Sequence, residues 1–396
     1  MKLAERIQVK KTPRLAKTCH LAKNLHNLAN YYVRQEFFSL GNWLRYDDLW
    51  HALKDEDAYS CLPSQTSQQV LKMVDRNWKS FFNAMKEWHT NPGKFLGRPR
   101  PPRYKKKDGE YLVVFTNQQC RIKGGYVHFP KKAKLPAVKT RLSDQTCHVR
   151  IIPRGIYYVV EIIHEQLEVN LGLNTGRIAG IDLGLTNVVT IVNNAGLKPV
   201  IIKGGIVKSI NQFYNKRTAT YRSLKDKTGM TFETNRLKKL ARTRSNRLDD
   251  VFHKISRKVI DYCIALDLGT VVIGYNPTWK QGITIGKVNT QNFVQVPFFK
   301  LIHMIRYKAE LRGIEVILVN EAYTPKCIFL DDEPIERRER YCGHRVSRGI
   351  FMSQCKTRIN ADVNAACNIV KKAFPNAISA DGIEGVGLHP CSLSIY

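Results

Sequence analysis

Acidic residues are scarce in this chain. Its 396 residues hold 33 Asp and Glu against 64 Lys and Arg, giving a formal charge of +31 and an isoelectric point near 9.8. Such an excess repels itself unless a polyanion neutralises it, so nucleic acid is the expected partner and no small-molecule substrate is expected. An anionic membrane would also answer the charge, but no isolated basic amphipathic segment stands out. Long hydrophobic runs are missing too: none approaches the roughly 20 residues of a membrane span. The start, Met1-Lys2-Leu3-Ala4-Glu5-Arg6, has no apolar signal core, so a cytoplasmic, nucleoid-associated protein is expected. Cys-x-x-Cys pairs are absent. The ten cysteines are scattered, which in a cytosolic chain reads as reduced thiols, several of them in the core. There are no internal repeats, and the length allows two or three domains with their own cores.

Residues 1–14 read as a short strand and a basic lead-in. From Lys17 to Phe38 apolar residues recur at helical spacing, at Leu21, Leu25, Leu28 and Tyr32. A second helix is expected from a cap at Ser64 or Ser67, through Val70, Val74, Trp78, Phe81 and Met85, to Trp88, where Asn91-Pro92-Gly93 ends it. Both stripes are packing surfaces. The segment Arg98-Pro99-Arg100-Pro101-Pro102-Arg103-Tyr104-Lys105-Lys106-Lys107 then sets six cations and three prolines in ten residues. It is too stiff and charged for a helix interior, and suited to touching phosphate. Strand-like runs follow at 111–115, 125–129, 148–152 and 157–164, with turns at Gly124-Gly125 and Pro153-Arg154-Gly155. This region is read as a small β-barrel or sheet into which the two helices are inserted.

After a polar linker over 166–176 the order becomes plain. Strands at 178–184, 188–194 and 198–203 form a meander, and helices at 206–226 and 232–266 follow. A strand at 270–275, a helix at 295–312, a strand at 314–320 and a helix from Asp362 complete the region. Three antiparallel strands, a helical crossover and then alternating strand and helix is the order of an RNase H-like fold. Beyond Lys372 the tail turns to Gly, Ala and Ser and is expected to be poorly ordered.

Two aspartates in small-residue frames carry the chemistry: Gly180-Ile181-Asp182-Leu183-Gly184 and Asn360-Ala361-Asp362-Val363-Asn364. The first ends an apolar strand that would be central in the sheet. There an acid without a partner is rare, so Asp182 is read as functional. Gly180 and Gly184 would let a phosphodiester and a metal approach closely. Asp362 opens a helix, where Asn360 and Asn364 can cap or hydrogen-bond. Alone it would be an ordinary N-terminal acid; paired with Asp182 it reads as a second metal ligand. The long helix over 232–266 carries Arg236, Lys238, Lys239, Arg242, Arg244, Arg247, His253, Lys254, Arg257 and Lys258 beside an apolar stripe of Leu248, Phe252, Ile255 and Val259. That density of charge suits the backbone of a nucleic-acid duplex read by shape.

Gly-Ile-Asp-Leu-Gly, the Trp279-Lys280-Gln281 element, Tyr323-Thr324-Pro325-Lys326 and Asn-Ala-Asp-Val-Asn together resemble TnpB, the transposon-encoded RNA-guided nuclease ancestral to type V CRISPR effectors. Gly97-Arg98-Pro99-Arg100 and Phe252-His253-Lys254-Ile255-Ser256-Arg257 extend the likeness over most of the chain. The resemblance implies an α+β multidomain protein: a β-barrel wedge domain (1–14 and 95–168) with a helical recognition insertion (15–94), and an RNase H-like RuvC nuclease domain (177–320 and 359–375). Residues 321–358 would stand in place of the family's zinc finger, and 376–396 would be a disordered tail. The activity implied is Mg²⁺-dependent cleavage of double-stranded DNA matched to a guide RNA from the mobile element, next to a short adjacent motif. Arg98, Arg100, Arg103, Lys105, Lys106, Lys107, Arg236, Lys239, Arg242, Arg247, His253, Lys254, Arg257, Lys280, Arg345 and Arg348 are the expected nucleic-acid contacts.

This chain departs from the family in two places. Where the family's third acid, a glutamate, would close a strand, Gly274 stands in Thr270-Val271-Val272-Ile273-Gly274-Tyr275-Asn276. Glu321, at the end of the next strand, is the expected replacement, completing a two-metal set with Asp182 and Asp362; the competing reading is a plain salt bridge to a nearby Arg or Lys. Asp331, Asp332, Glu333 and Glu336 are reserves in a loop. The four-cysteine zinc insertion is also lacking: Cys327, Cys342, His344 and Cys355 have no paired spacing, and a metal-free loop is expected. Two other readings fit the same residues, a nuclease-dead RNA-guided repressor and a guide-free resolvase of branched DNA.

Overall fold

A computed structural model describes residues 1–276, 286–347 and 349–395, which divide into two compact units, Met1–Gln166 and Leu167–Tyr396. No helix among the described residues is long and apolar enough to cross a membrane.

In the first unit, β1 (Lys2–Lys10) leads into α1 (Pro13–Leu40). That helix starts earlier than the apolar period suggests. Thr12 Oγ1 accepts from the Leu15 N–H at 3.3 Å, and Pro13 occupies the first turn, where its missing N–H costs nothing. Two short helices follow that periodicity did not reveal, α2 (Tyr46–Leu53) and α3 (Asp57–Ser60). Next come α4 (Ser64–Thr90), β2 (Val113–Phe115), β3 (Arg121–Lys123), β4 (Tyr126–His128), β5 (Val138–Lys139), β6 (His148–Pro153) and β7 (Tyr157–Glu165). They pair as a four-stranded sheet, β1-β7-β6-β2, and a three-stranded one, β3-β4-β5. The apolar stripes of α1 and α4 share one core with the sheets, in which Leu25, Val74, Trp78, Phe115, Val149 and Ile162 are all buried.

A feature of α1 that apolar patterning misses is a polar spine. His20, Lys23, Asn27, Asn30 and Arg34 recur every three or four residues, so they lie along one face. Lys23 Nζ, Asn27 Nδ2 and Arg34 Nη1 donate to the carbonyls of Lys107, Lys105 and Pro102, and His20 Nδ1 pairs with the Gly109 carbonyl. The proline-rich basic segment is thus held by its backbone, which turns Arg98, Arg100, Arg103, Lys106 and Lys107 outward to solvent.

The second unit contains β8 (Ile178–Asp182), β9 (Asn187–Asn193), β10 (Val200–Lys203), α5 (Gly205–Lys227), α6 (Asn235–Ala265), β11 (Thr270–Tyr275), α7 (Lys287–Gln295), α8 (Phe298–Glu310) and β12 (Glu315–Asn320). Then follow β13 (His344–Ser347), β14 (Ile350–Met352), β15 (Arg358–Asn360), α9 (Ala361–Ala373), α10 (Asp381–Glu384) and β16 (Cys391–Leu393). The main sheet runs β12-β11-β8-β9-β10-β16. β8, β9 and β10 are antiparallel, while β11 and β12 run parallel to β8. Side chains alternate across it. Ala179, Ile181, Val271 and Ile273 join the apolar stripes of α6 and α8 on one face, and Ile178 and Val272 join α9 on the other.

Three expectations are corrected here. The helix expected at 295–312 is α8, which starts only at Phe298 because Pro297 cannot donate a backbone N–H, and a further helix that was not expected, α7, precedes it. The tail is not disordered: β16 pairs in parallel with β10, Val200 opposite Cys391, and extends the sheet. Residues 321–358 are not a bare loop but include the small antiparallel sheet β13-β14-β15, whose last strand, Arg358–Asn360, reaches into the flanking segment at 359–375.

Candidate active site

The alternation of the sheet brings the acids together. Residues 178, 180 and 182 of β8 face α9, as do 272 and 274 of β11 and Val319 of β12. Ile273 pairs with Ile181, so Gly274 follows beside Asp182; Gly274 pairs with Val319 and Tyr275 with Asn320. Asp182, Gly274 and Glu321 therefore lie at the carboxyl ends of three adjacent parallel strands, the edge where open α/β sheets bind ligands. A methyl group on Gly274 would lie 3.3 Å from Glu321 Oε2 and 2.4 Å from Ile369 Cδ1. The Glu321 carboxylate thus hangs over the position where the strand lacks its acid.

Lys372 fixes the turn that carries Glu321, donating to the carbonyls of Asn320 at 2.9 Å and Ala322 at 2.7 Å. Its ammonium also feels the Glu321 charge, which bears on the salt-bridge reading. Asp362 sits in the first turn of α9, where the positive end of the helix favours a carboxylate. Asn360 caps that turn, its Oδ1 accepting from the N–H groups of Asp362 and Val363 at 3.0 and 3.2 Å. Asn187 orients the acid, its Nδ2 donating to Asp362 Oδ2 at 2.7 Å. Sequence reading passed over Asn187; its signal was a polar amide five residues after Asp182, at the mouth of the next strand.

Electrostatics couple the three acids. Burial, then the charges of Asp362 and Glu321, hold the Asp182 carboxyl well above the ordinary carboxylate range, against a smaller opposing pull from the Leu183 N–H and Arg345. Arg345, exposed on β13, is thus a cation whose charge acts on Asp182. Among the described residues no three Asp, Glu, His or Cys side chains form a closed ligand cage as they stand.

The flanking glycines do not serve the purpose first read into them. A methyl at Gly180 would strike Val370 Cγ2 at 2.2 Å and approach the Ala366 carbonyl at 3.0 Å; one at Gly184 would meet the Asn187 carbonyl at 2.8 Å. Gly180 lets α9 lie directly on β8, and Gly184 closes the β8–β9 turn, so neither opens space for substrate.

The reserve acids are engaged elsewhere. Glu333 is buried and accepts from the N–H groups of Ile328 and Cys342 at 2.8 and 2.9 Å, Asp331 accepts from Gln354, Asp332 pairs with Lys371, and Glu336 with Arg338. Asn364 and Asn368 of α9 hook the same segment: Asn364 accepts from the Phe329 N–H and donates to the Cys327 carbonyl, to which Asn368 also donates. Cys327 is buried, whereas Cys342, His344 and Cys355 are exposed.

Of the expected nucleic-acid contacts, Lys280 and Arg348 lie outside the described residues. Arg236, Lys239, Arg247, His253 and Arg257 of α6 are exposed, and Arg242 and Lys254 half-buried. Lys254 pairs with Asp250 and Arg257 with Asp261 along the helix. Arg244 is structural instead: it donates to Asn211 Oδ1 and the Gln295 carbonyl, tying α6 to α5 and α7. Lys105 is half-buried over the Tyr111 ring, and Arg98 lies against Trp88.

Two family models match the chain: OrfB_IS605, described as "Probable transposase", over residues 159–280, and the Cas12f1-like TNB domain over 298–369. The "TnpB-like protein ORF457" of Acidianus two-tailed virus is 24% identical, covering 91% of this chain and 83% of that protein. The chain resembles the TnpB/OrfB family. The "Putative RNA-guided DNA endonuclease InsQ" of Escherichia coli (strain K12) is 22% identical over 90% of this chain and 84% of its own. The Cas12f1 chain in a cryo-EM structure of the Cas12f1–sgRNA–target DNA complex shares the fold, with TM-score 0.54 and 15% identity, covering 90% of this chain and 81% of that one.

Proposed function

We propose that this chain is an RNA-guided DNA endonuclease that cuts double-stranded DNA matched to its guide. Residues 177–320 and 359–375 form its RNase H-like RuvC domain, and 1–14 with 95–168 a β-barrel wedge bearing the helical insertion 15–94. The observation that carries the reading is the convergence of Asp182, Glu321 and Asp362 on the α9 face of the sheet, at the carboxyl ends of its parallel strands. The names of the full-length relative InsQ and of the Cas12f1 complex support the guide and the DNA target.

The donor set fits a hard divalent cation such as Mg²⁺. It is made of carboxylate oxygens on rigid elements, and burial, then the charges of Asp362 and Glu321, hold Asp182 above its ordinary range. Asp182, Glu321 and Asp362 would hold two such ions, which supply activation of water and neutralisation of charge on the leaving oxygen. The chain's own residues do the rest. Asn187 and Asn360 fix the Asp362 carboxylate and its helix, Lys372 fixes the turn bearing Glu321, and Arg345 offers a cation to a phosphate brought to the acids. The cations of 98–107 and α6 hold the backbones of guide and target.

One observation favours the binding-only alternative, a repressor: the carboxylates do not form a closed cage as they stand. The two readings separate by experiment. Protein purified with the RNA of its own element should nick or linearise a matched plasmid in Mg²⁺ and not in chelator. Glu321→Ala should lose cutting by more than about a hundredfold while keeping binding. Full cutting by that variant would remove Glu321 from the site. Binding without cutting by the native protein would establish the repressor, and cutting without RNA the resolvase.

A further inference from the structure

We propose that the α1 face bearing Tyr31, Arg34 and Phe38, together with Tyr104 of the basic segment, is a stacking platform for unpaired nucleobases of a single strand. The inference rests on the reading that this chain binds nucleic acid, and it names the part of the ligand this surface would take.

Tyr31, Arg34 and Phe38 fall three and four residues apart and so share a face of α1. The Arg34 guanidinium lies 5.0 Å from the centroid of Phe38 and 5.4 Å from that of Tyr104, and its Nη1 donates to the Pro102 carbonyl at 3.0 Å. One planar cation thus fixes two rings that come from separate segments. From below, Phe38 meets the ring of Phe37 at 5.2 Å, and Phe37 is itself seated on Trp78 at 5.4 Å and Phe82 at 5.5 Å. The rings are therefore anchored to the core, yet they stay open to solvent: Phe38 is 60% exposed, Tyr31 48% and Tyr104 47%. Rigid, exposed aromatic faces beside the exposed cations Arg100 and Arg103 combine what a single strand requires, π-faces for bases and positive charge for the phosphates between them. A duplex keeps its base faces stacked inside and cannot use the rings.

The test uses the full chain without guide RNA. Binding of a fluorescent oligothymidylate of about 12 nucleotides, and of a duplex of the same length, is followed by anisotropy across a salt series. Phe38→Ala with Tyr104→Ala should weaken single-strand binding about tenfold, leave duplex binding unchanged, and leave the slope of affinity against salt unchanged, because no cation is removed. Arg100→Gln with Arg103→Gln should instead reduce that slope. Phe38→Trp should keep the affinity, and its emission should be quenched by the oligonucleotide, which decides the matter even if the alanine pair folds poorly. Unaltered single-strand affinity in the alanine pair, equal loss for single strand and duplex, or unmoved Trp emission on binding would overturn the platform alone. No binding of either nucleic acid by the native chain would overturn the broader reading as well.

Discussion

Neutralising Glu321 should make the metal-free protein more stable, a consequence of the acid cluster that can be read without any cleavage assay. The Asp182 carboxyl is pushed up by its burial and by the charges of Asp362 and Glu321, so the three acids repel one another when no cation is bound. Two like charges about 6 Å apart at an effective dielectric constant of about 20 to 40 repel by about 1.4 to 2.8 kcal/mol. Glu321→Gln removes one of them while keeping the shape of the side chain. For a folding unit of about 200 residues each kcal/mol moves Tm by about 2–4 °C. The variant should therefore melt roughly 3–11 °C above the native protein in EDTA at pH 7. Adding Mg²⁺ should reverse the order of benefit. At ten times its Kd, the ion stabilises the native protein by about 1.4 kcal/mol, and the variant, short of one ligand, by less. Differential scanning calorimetry of both proteins, with chelator and with a Mg²⁺ series, checks the claim. Equal melting in EDTA together with an equal Mg²⁺-induced rise would refute it, since Glu321 would then neither repel the aspartates nor meet their cation. A destabilised variant in EDTA would favour the salt-bridge reading.

Two further predictions rest on packing and on burial. Gly180→Ala should lower stability by about 1–3 kcal/mol, because its methyl would overlap Val370 Cγ2 at 2.2 Å under α9; Gly205→Ala, with nothing within 4 Å, should be close to neutral, and equal melting of the two variants would show that α9 yields freely. His26 is buried against Tyr111, and burial, then Lys105, lower its pKa from 6.5 to about 4. Below pH 6.5 the unfolded chain takes up a proton that the folded chain refuses, so this contribution is fully present above pH 6.5 and is lost as pH falls towards 4. Between pH 7 and pH 5 it amounts to about 2 kcal/mol. Urea denaturation at those two pH values should show a smaller loss in His26→Leu, and an identical pH dependence would remove His26 as its source.

Much of this protein was legible along the chain. The apolar runs Ile178–Asp182 and Thr270–Tyr275, the stripe of Leu248, Phe252, Ile255 and Val259, and the succession from β8 to β12 apart from α7 all follow from residues close together in the chain. Local pattern is written in adjacent residues, and it placed Asp182 at the end of an apolar strand. What the tertiary structure alone decided were relations between distant segments. The parallel register of β11 and β12 sets Glu321 over Gly274. The docking of α9 explains Gly180, the pairing of β16 with β10 orders a tail that looked loose, and the spine of α1 holds the basic segment by its carbonyls. Each of these depends on strand register or helix docking, which satisfies hydrogen bonds and excludes water across many intervening residues. No short window of sequence records which distant partner a strand end or a helix face will meet.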